Sequence, residues 1–285
     1  MGIQFTNVSF SYNKKEKKYV LKNINLKINP KNEFIALLGK VGSGKSTLVQ
    51  LMNNLLLPSK GYIDLFGKRI NYKTSNKELF LLKRKIGLVF QFPEYQLFET
   101  TVLKDVMFAP KNFNKSNLES EKIAIESLIK VGISKEFFNI SPFKLSGGQQ
   151  RKVAIAGVLS MEPSILILDE PTRGLDSKSQ IEIMNILKKQ NKNEKKTIIF
   201  ITHNIDLVAK YASKVLLLDK GEIIFYGKKD YFFMPKIMNQ CNFSSEPQSF
   251  KILNFLNKKI GIKFELKYDF KQLLNYLIEN EKGKK

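Results

Sequence analysis

Nine consecutive residues, Gly39-Lys40-Val41-Gly42-Ser43-Gly44-Lys45-Ser46-Thr47, constrain the fold of this chain more than any other stretch. They join an apolar run at 34–38, the length of a buried strand, to a segment predicted helical over 45–57 and stopped by Pro58. Glycines at these spacings let backbone N–H groups turn inward without a clash from Cβ. The helix that follows adds the positive end of its dipole. This is the pattern of a phosphate-binding loop, with Lys45 placed for β- and γ-phosphates and the Ser46 hydroxyl for Mg2+.

The remaining apolar runs predict the sheet around that loop. Short β-rich segments at 86–91, 165–168, 197–201 and 214–218 alternate with helical ones, which argues for a largely parallel sheet covered on both faces. Ahead of the loop, 3–12 and 20–28 alternate apolar and polar residues, with Ile24, Leu26 and Ile28 on one face, and read as antiparallel strands. Residues 92–144 change to helical periodicity, as in 118–131. After Gly227 the texture changes again. Asp269 is placed to cap a helix whose Phe270, Leu273, Leu274, Leu277 and Ile278 form one apolar stripe, and the chain end through Lys284 and Lys285 is expected to fray. The fold class is α/β, with a mostly parallel sheet, an antiparallel β subdomain at the N-terminus, an inserted helical subdomain and a small helical extension at the C-terminus.

The run at 165–168 ends in Asp169 and Glu170. Beside a phosphate loop, Asp169 suits Mg2+ and Glu170 suits an attacking water; alone, two carboxylates after a strand are more often solvated. Up to here a general P-loop NTPase remains open. Leu145-Ser146-Gly147-Gly148-Gln149 narrows it, because by composition this pentapeptide occurs at random in roughly a few chains per ten thousand. It stands before a helix predicted over 150–159. With it the sequence resembles the ABC ATPase family, in unbroken order from residue 3 to 228.

The resemblance implies roles for further residues. Gln91 matches the Q-loop glutamine and contacts Mg2+, Gly174-Leu175-Asp176 matches the D-loop, and His203, the only histidine, is the switch residue for the γ-phosphate. Tyr12 matches the aromatic on which adenine stacks. ATP is then held between two subunits: Gly39, Gly42, Ser43, Gly44, Lys45, Ser46 and Thr47 of one chain face Ser146, Gly147, Gly148, Gln149 and Asp176 supplied in trans. The metal site is Ser46, Gln91 and Asp169, and the catalytic set is Glu170, His203 and Gln91. Residues 1–228 form a P-loop nucleotide-binding domain with 92–144 as its helical subdomain. Residues 229–285 are the extension, placed by the resemblance at the contact between ATPase chains.

The stretch 89–99, with Phe92, Glu94, Tyr95, Leu97, Phe98 and Glu99, looks like the ATPases of energy-coupling factor importers, which take up vitamins or cobalt and nickel. That branch implies a second, similar ATPase subunit, favouring a heterodimer. It also implies an integral membrane coupling subunit and a substrate-binding membrane subunit, with this chain peripheral at the cytoplasmic face of the membrane. The segment 92–99 is expected to dock the membrane partner. Composition fits an intracellular protein: Cys241 stands alone and no apolar run reaches the length of a membrane span. The net charge of +22 comes from scattered lysines, which reads as a biased background with some attraction to anionic lipid. Another ABC transporter class is the alternative. A nucleic-acid-associated ABC ATPase is the remoter one, because such proteins carry two nucleotide domains or a long coiled coil, and no specific nucleic-acid partner is expected.

Overall fold

The structure, a computed structural model, describes residues 2–13 and 18–282. The expectation for the terminal lysines lies outside these residues. Strands β1 (Ile3–Phe10), β2 (Leu21–Ile28), β4 (Lys60–Leu65) and β5 (Lys68–Ile70) form an antiparallel sheet in the order β2-β1-β4-β5. Strands β3 (Phe34–Leu38), β6 (Ile86–Val89), β7 (Ile165–Asp169), β8 (Thr197–Ile201), β9 (Lys214–Asp219) and β10 (Glu222–Lys228) form the second sheet, ordered β10-β9-β3-β8-β7-β6. All neighbours in it are parallel except β10 on β9.

Strand periodicity of two divides the interior into two cores. Phe34, Ala36 and Leu38 of β3, with Leu166, Leu168, Ile198 and Phe200, face the helical subdomain. Ile35 and Leu37, with Ile165, Ile167, Ile199 and Ile201, face the antiparallel sheet and the helix after the phosphate loop. Nearly all of these are fully buried, each worth roughly 1.5–3 kcal/mol relative to exposure. The central strands therefore read as continuous apolar runs, whereas β1 and β2, with one wet face, alternate. Phe232, Phe233, Met238 and Phe250 carry the first core into the C-terminal extension.

Four boundaries at the site differ from the sequence expectation. The helix after the phosphate loop ends at Met52, not residue 57, because Asn54 turns into the left-handed region at φ 60° and the chain leaves the helix there. The helix bearing the glycine-rich pentapeptide begins at Gly147, three residues early, capped by Ser146. The strands end at Phe10 and Val89, so Tyr12 and Gln91 stand on the loops beyond them. The extension helices are Gln248–Ile260 and Phe270–Lys282; Asp269 Oδ1 accepts the Gln272 N–H at 2.8 Å, as a cap should. Of the apolar stripe on the second helix only Leu273 is fully buried, while Phe270, Leu274 and Ile278 stay exposed.

Candidate functional site

The phosphate loop sits at the C-terminal end of β3, between its parallel neighbours β8 and β9. Two of its glycines are sterically required. At Gly39 (φ 152°) an added Cβ would stand 2.3 Å from the Leu218 carbonyl oxygen, and at Gly44 (φ 102°) 2.8 Å from Leu21 Cδ2. Lys45 Nζ donates to the Gly39 and Lys40 carbonyls, both at 2.8 Å. The ammonium is thus folded over the mouth of the loop. Partial burial lowers its pKa, against the opposing pull of Asp169 and Glu170.

Strand β7 delivers both carboxylates to the same end of the sheet. Burial raises the Asp169 pKa, while Lys45 and a hydrogen bond from Ser46 draw it back. Glu170 is buried, with φ 49°, and its amide is tied to the Ile201 carbonyl at 3.1 Å. Burial raises its pKa too, with His203 lowering it and Asp169 raising it further. His203 Nε2 lies 3.5 Å from Glu170 Oε1. That carboxylate oxygen and the Ser43 hydroxyl are buried without a hydrogen-bond partner, a costly state unless a bound group completes them. Among the described residues no cluster of three or more His, Cys, Asp or Glu side chains makes a self-contained metal cage. The Ser46 and Asp169 oxygens, with Gln91 at the neighbouring strand end, instead suit a hard cation that shares its coordination with phosphates and water.

Tyr12 is 63% exposed, sits edge-on to Phe10 with ring centroids 4.9 Å apart, and its hydroxyl lies 3.0 Å from Thr47 Oγ1. It borders an open cavity of about 340 Å3 with Tyr19, Lys18, Gly42 and Lys220. An exposed ring above the phosphate loop is the geometry of a base platform. The contact with Thr47 sharpens a prediction. On the reading that adenine stacks on this ring, Tyr12→Ala removes a contact worth roughly 1–3 kcal/mol, so ATP should bind about 5- to 150-fold more weakly. Tyr12→Phe loses only a hydrogen bond worth roughly 1 kcal/mol, about a fivefold effect. Titration with a fluorescent ATP analogue separates the two, and equal losses would rule out stacking.

Ser146 caps the helix Gly147–Leu159 in a reciprocal box. Its N–H donates to Gln149 Oε1 at 3.0 Å, and the Gln149 N–H donates back to its hydroxyl. Ser146 and Gly147 are exposed at this helix N-terminus, a surface ready for an anion. Asp176 caps the helix Ser177–Asn193, accepting the Lys178 and Ser179 N–H groups. Among the described residues, neither cavity flanking the phosphate loop has a wall from 146–149. The fold therefore brings Tyr12, the phosphate loop, Asp169, Glu170 and His203 together, and leaves Ser146 and Gly147 exposed outside those cavities.

Two side chains change the picture of segment 92–99. Leu97 is buried in the first core, whereas Phe92, Tyr95 and Phe98 are exposed. Glu94 is not a free acid. It takes a two-pronged contact from Arg151, a buried residue that sequence reasoning passed over. Its signal was visible: Arg151 falls four residues before buried Ile155, on the inward stripe of the helix.

The comparisons with known proteins agree with this geometry. The family described as ABC transporter matches residues 21–173. The energy-coupling factor transporter ATP-binding protein EcfA2 of Lactobacillus acidophilus is 43% identical over 285 residues, covering 99% of each chain. EcfA2 of Streptococcus agalactiae is 47% identical over 235 residues, covering 82% of this chain and 83% of the relative. Among solved structures, cbiO1 from Clostridium perfringens, part of the ABC transporter complex cbiONQ, superposes with a TM-score of 0.75 at 36% identity, covering 90% of this chain and 95% of that one. A dimeric ATP-binding cassette in a post-hydrolysis state with ADP and Pi gives a TM-score of 0.70 at 36% identity, covering 79% and 98%. The family match spans the phosphate loop, the pentapeptide and both carboxylates, and relatives align along nearly the whole chain: this protein belongs to the ABC transporter ATPase family.

Proposed function

We propose that this chain is the ATP-binding and hydrolysing subunit of an energy-coupling factor importer, powering uptake of a vitamin or transition-metal ion through separate membrane subunits. The observation that carries this reading is the near full-length match to EcfA2 proteins, extension included. Among the described residues no helix is long and apolar enough to cross a membrane, which fits a peripheral subunit on the cytoplasmic face.

Each site residue takes a role in this reading. The phosphate loop and Lys45 hold the β- and γ-phosphates, and Tyr12 stacks on adenine. Mg2+ supplies charge neutralisation at the phosphates when bound, and Ser46, Asp169 and Gln91 are its protein ligands. Glu170 takes the proton of the attacking water, and His203 hydrogen-bonds the γ-phosphate. Ser146, Gly147, Gly148, Gln149 and Asp176 complete the site of a second subunit. That subunit is a similar but distinct ATPase, met partly through 229–285, where exposed Phe270, Leu274 and Ile278 provide apolar surface.

Because 146–149 line neither cavity beside their own phosphate loop, this reading makes turnover depend on pairing. Specific ATPase activity should climb steeply with protein concentration, and more steeply when the partner ATPase is added. A specific activity that holds constant across a thousandfold dilution would contradict a shared site.

A further inference from the structure

Arg151 is 3% exposed, an unusual burial for a guanidinium, and its acceptors come from segments far apart in sequence. Its Nη2 donates to both Glu94 carboxylate oxygens, at 2.9 and 3.1 Å. Its Nη1 donates to the Arg173 carbonyl at 2.6 Å and, more weakly, to the Pro171 carbonyl at 3.4 Å. Glu94 stands three residues after Gln91, on the single turn Pro93–Gln96. Pro171 and Arg173 stand one and three residues after Glu170, in a turn closed by the Arg173 N–H on the Glu170 carbonyl at 3.1 Å. The guanidinium itself rides on the first turns of the helix capped by Ser146. The turn after Gln91, the turn after Glu170 and the helix capped by Ser146 therefore meet at one side chain.

The geometry suits transmission of movement and exceeds what stability alone needs. The Glu94 turn carries Phe92 and Tyr95, exposed and 5.8 Å apart, and Arg173 stacks back over Phe92 at 6.0 Å. A shift of that aromatic surface must move Glu94, and through the rigid guanidinium fork the Pro171 and Arg173 carbonyls. These carbonyls set the turn that follows Glu170, whose backbone already lies in the left-handed region. We infer that Arg151 is a positioning residue for Glu170, tying its placement to segment 92–98 so that turnover follows the state of that surface. The inference rests on the ATPase reading and adds to it a residue and a route.

Lysine keeps the charge opposite Glu94 but cannot reach a carboxylate and two carbonyls from one ammonium. Intact complexes of the two ATPases and the membrane subunits, carrying Arg151→Lys, Glu94→Gln or both, are assayed for steady-state ATP hydrolysis and thermal unfolding. Arg151→Lys should lower kcat on the order of 10- to 100-fold, the scale expected when a reacting group is displaced by a fraction of an ångström to one ångström. KM for ATP should stay within about twofold, because no phosphate contact changes. Glu94→Gln should give a smaller loss, and the double variant should be no worse than Arg151→Lys, since both act through one linkage. Turnover above half the wild-type value in folded Arg151→Lys complexes overturns the inference. So does a loss that tracks lowered melting temperature or raised KM, which marks a structural bolt only. Should Arg151→Lys not fold, Glu94→Gln decides: a several-fold lower kcat at unchanged KM supports the inference, and a wild-type kcat overturns it. A wild-type complex without any hydrolysis sinks the ATPase reading itself, which keeps the two failures apart.

Discussion

Glu170→Gln should lower ATP turnover roughly 10²–10⁴-fold, the range for loss of a general base, while ATP binding survives. The amide matches the carboxylate in shape, so the buried space and the left-handed turn at Glu170 are kept. On the proposed reading what is lost is an acceptor of protons, and the buried, unpartnered Oε1 supports that reading. Burial has raised the pKa of this carboxyl above the ordinary range, which makes it a stronger base than a surface glutamate. The same fact carries a second consequence with a definite sign. A carboxyl whose pKa is raised on folding costs stability wherever it is ionised in both states, and the cost vanishes as pH falls through the raised value to the unfolded one. Glu170→Gln should therefore raise the melting temperature at neutral pH, with the gain disappearing on acidification to the ordinary carboxylate range. Hydrolysis and nucleotide binding measured on the same purified complex test the first claim, and calorimetry across pH tests the second. Near-normal turnover would remove Glu170 from its role.

The phosphate-loop residues were the legible ones, and for a physical reason. Phosphate binding needs backbone N–H groups in conformations that only glycine adopts freely, so Gly39 and Gly44 stand out in sequence as they do in space. The buried parallel strands were legible because both their faces are dry. Harder to read were contacts between segments distant along the chain. Glu94 reads as part of the docking segment because nothing local shows that Arg151, in another element, takes it up. Leu97 looked like its exposed neighbours because a single turn has too little periodicity to say which side chain points inward. The helix end at Met52 was missed because 55–57 are helix-compatible leucines, and the break comes from Asn54 taking up a left-handed conformation. The roles of Tyr12, Gln91 and Asp176 came from the family resemblance. Their own sequence neighbourhoods carry no distinguishing chemistry.

Phe98→Asp or Tyr95→Asp should separate nucleotide binding from transport. Phe98 is 57% exposed and packs edge-on against half-exposed Phe108, with ring centroids 4.8 Å apart. Together with Ala109, Ala154, Gly157 and Val158 they border a groove whose floor is the helix capped by Ser146. Small residues in that floor leave room for an inserted helix or turn, and aromatic walls supply contact area at little entropic cost. Asp105 accepts the Phe98 and Glu99 N–H groups, both at 2.9 Å, which ties the far end of the segment to the helix Val102–Asn112. As the proposed dock for the membrane subunit, this groove together with the adjoining exposed Tyr95 should lose about 2 kcal/mol or more when a charge replaces Phe98 or Tyr95, roughly 30-fold in affinity. The fold should tolerate the change because neither ring belongs to a buried core. ATP should still bind, since neither side chain approaches Tyr12 or the phosphate loop. A pull-down of the membrane subunit beside an ATP-binding assay and an uptake assay on the same variants reads all three steps. Loss of capture and uptake with ATP affinity unchanged is the expected outcome. Variants that assemble and transport at the wild-type rate would mean that this aromatic groove is not the dock, however exposed it stands.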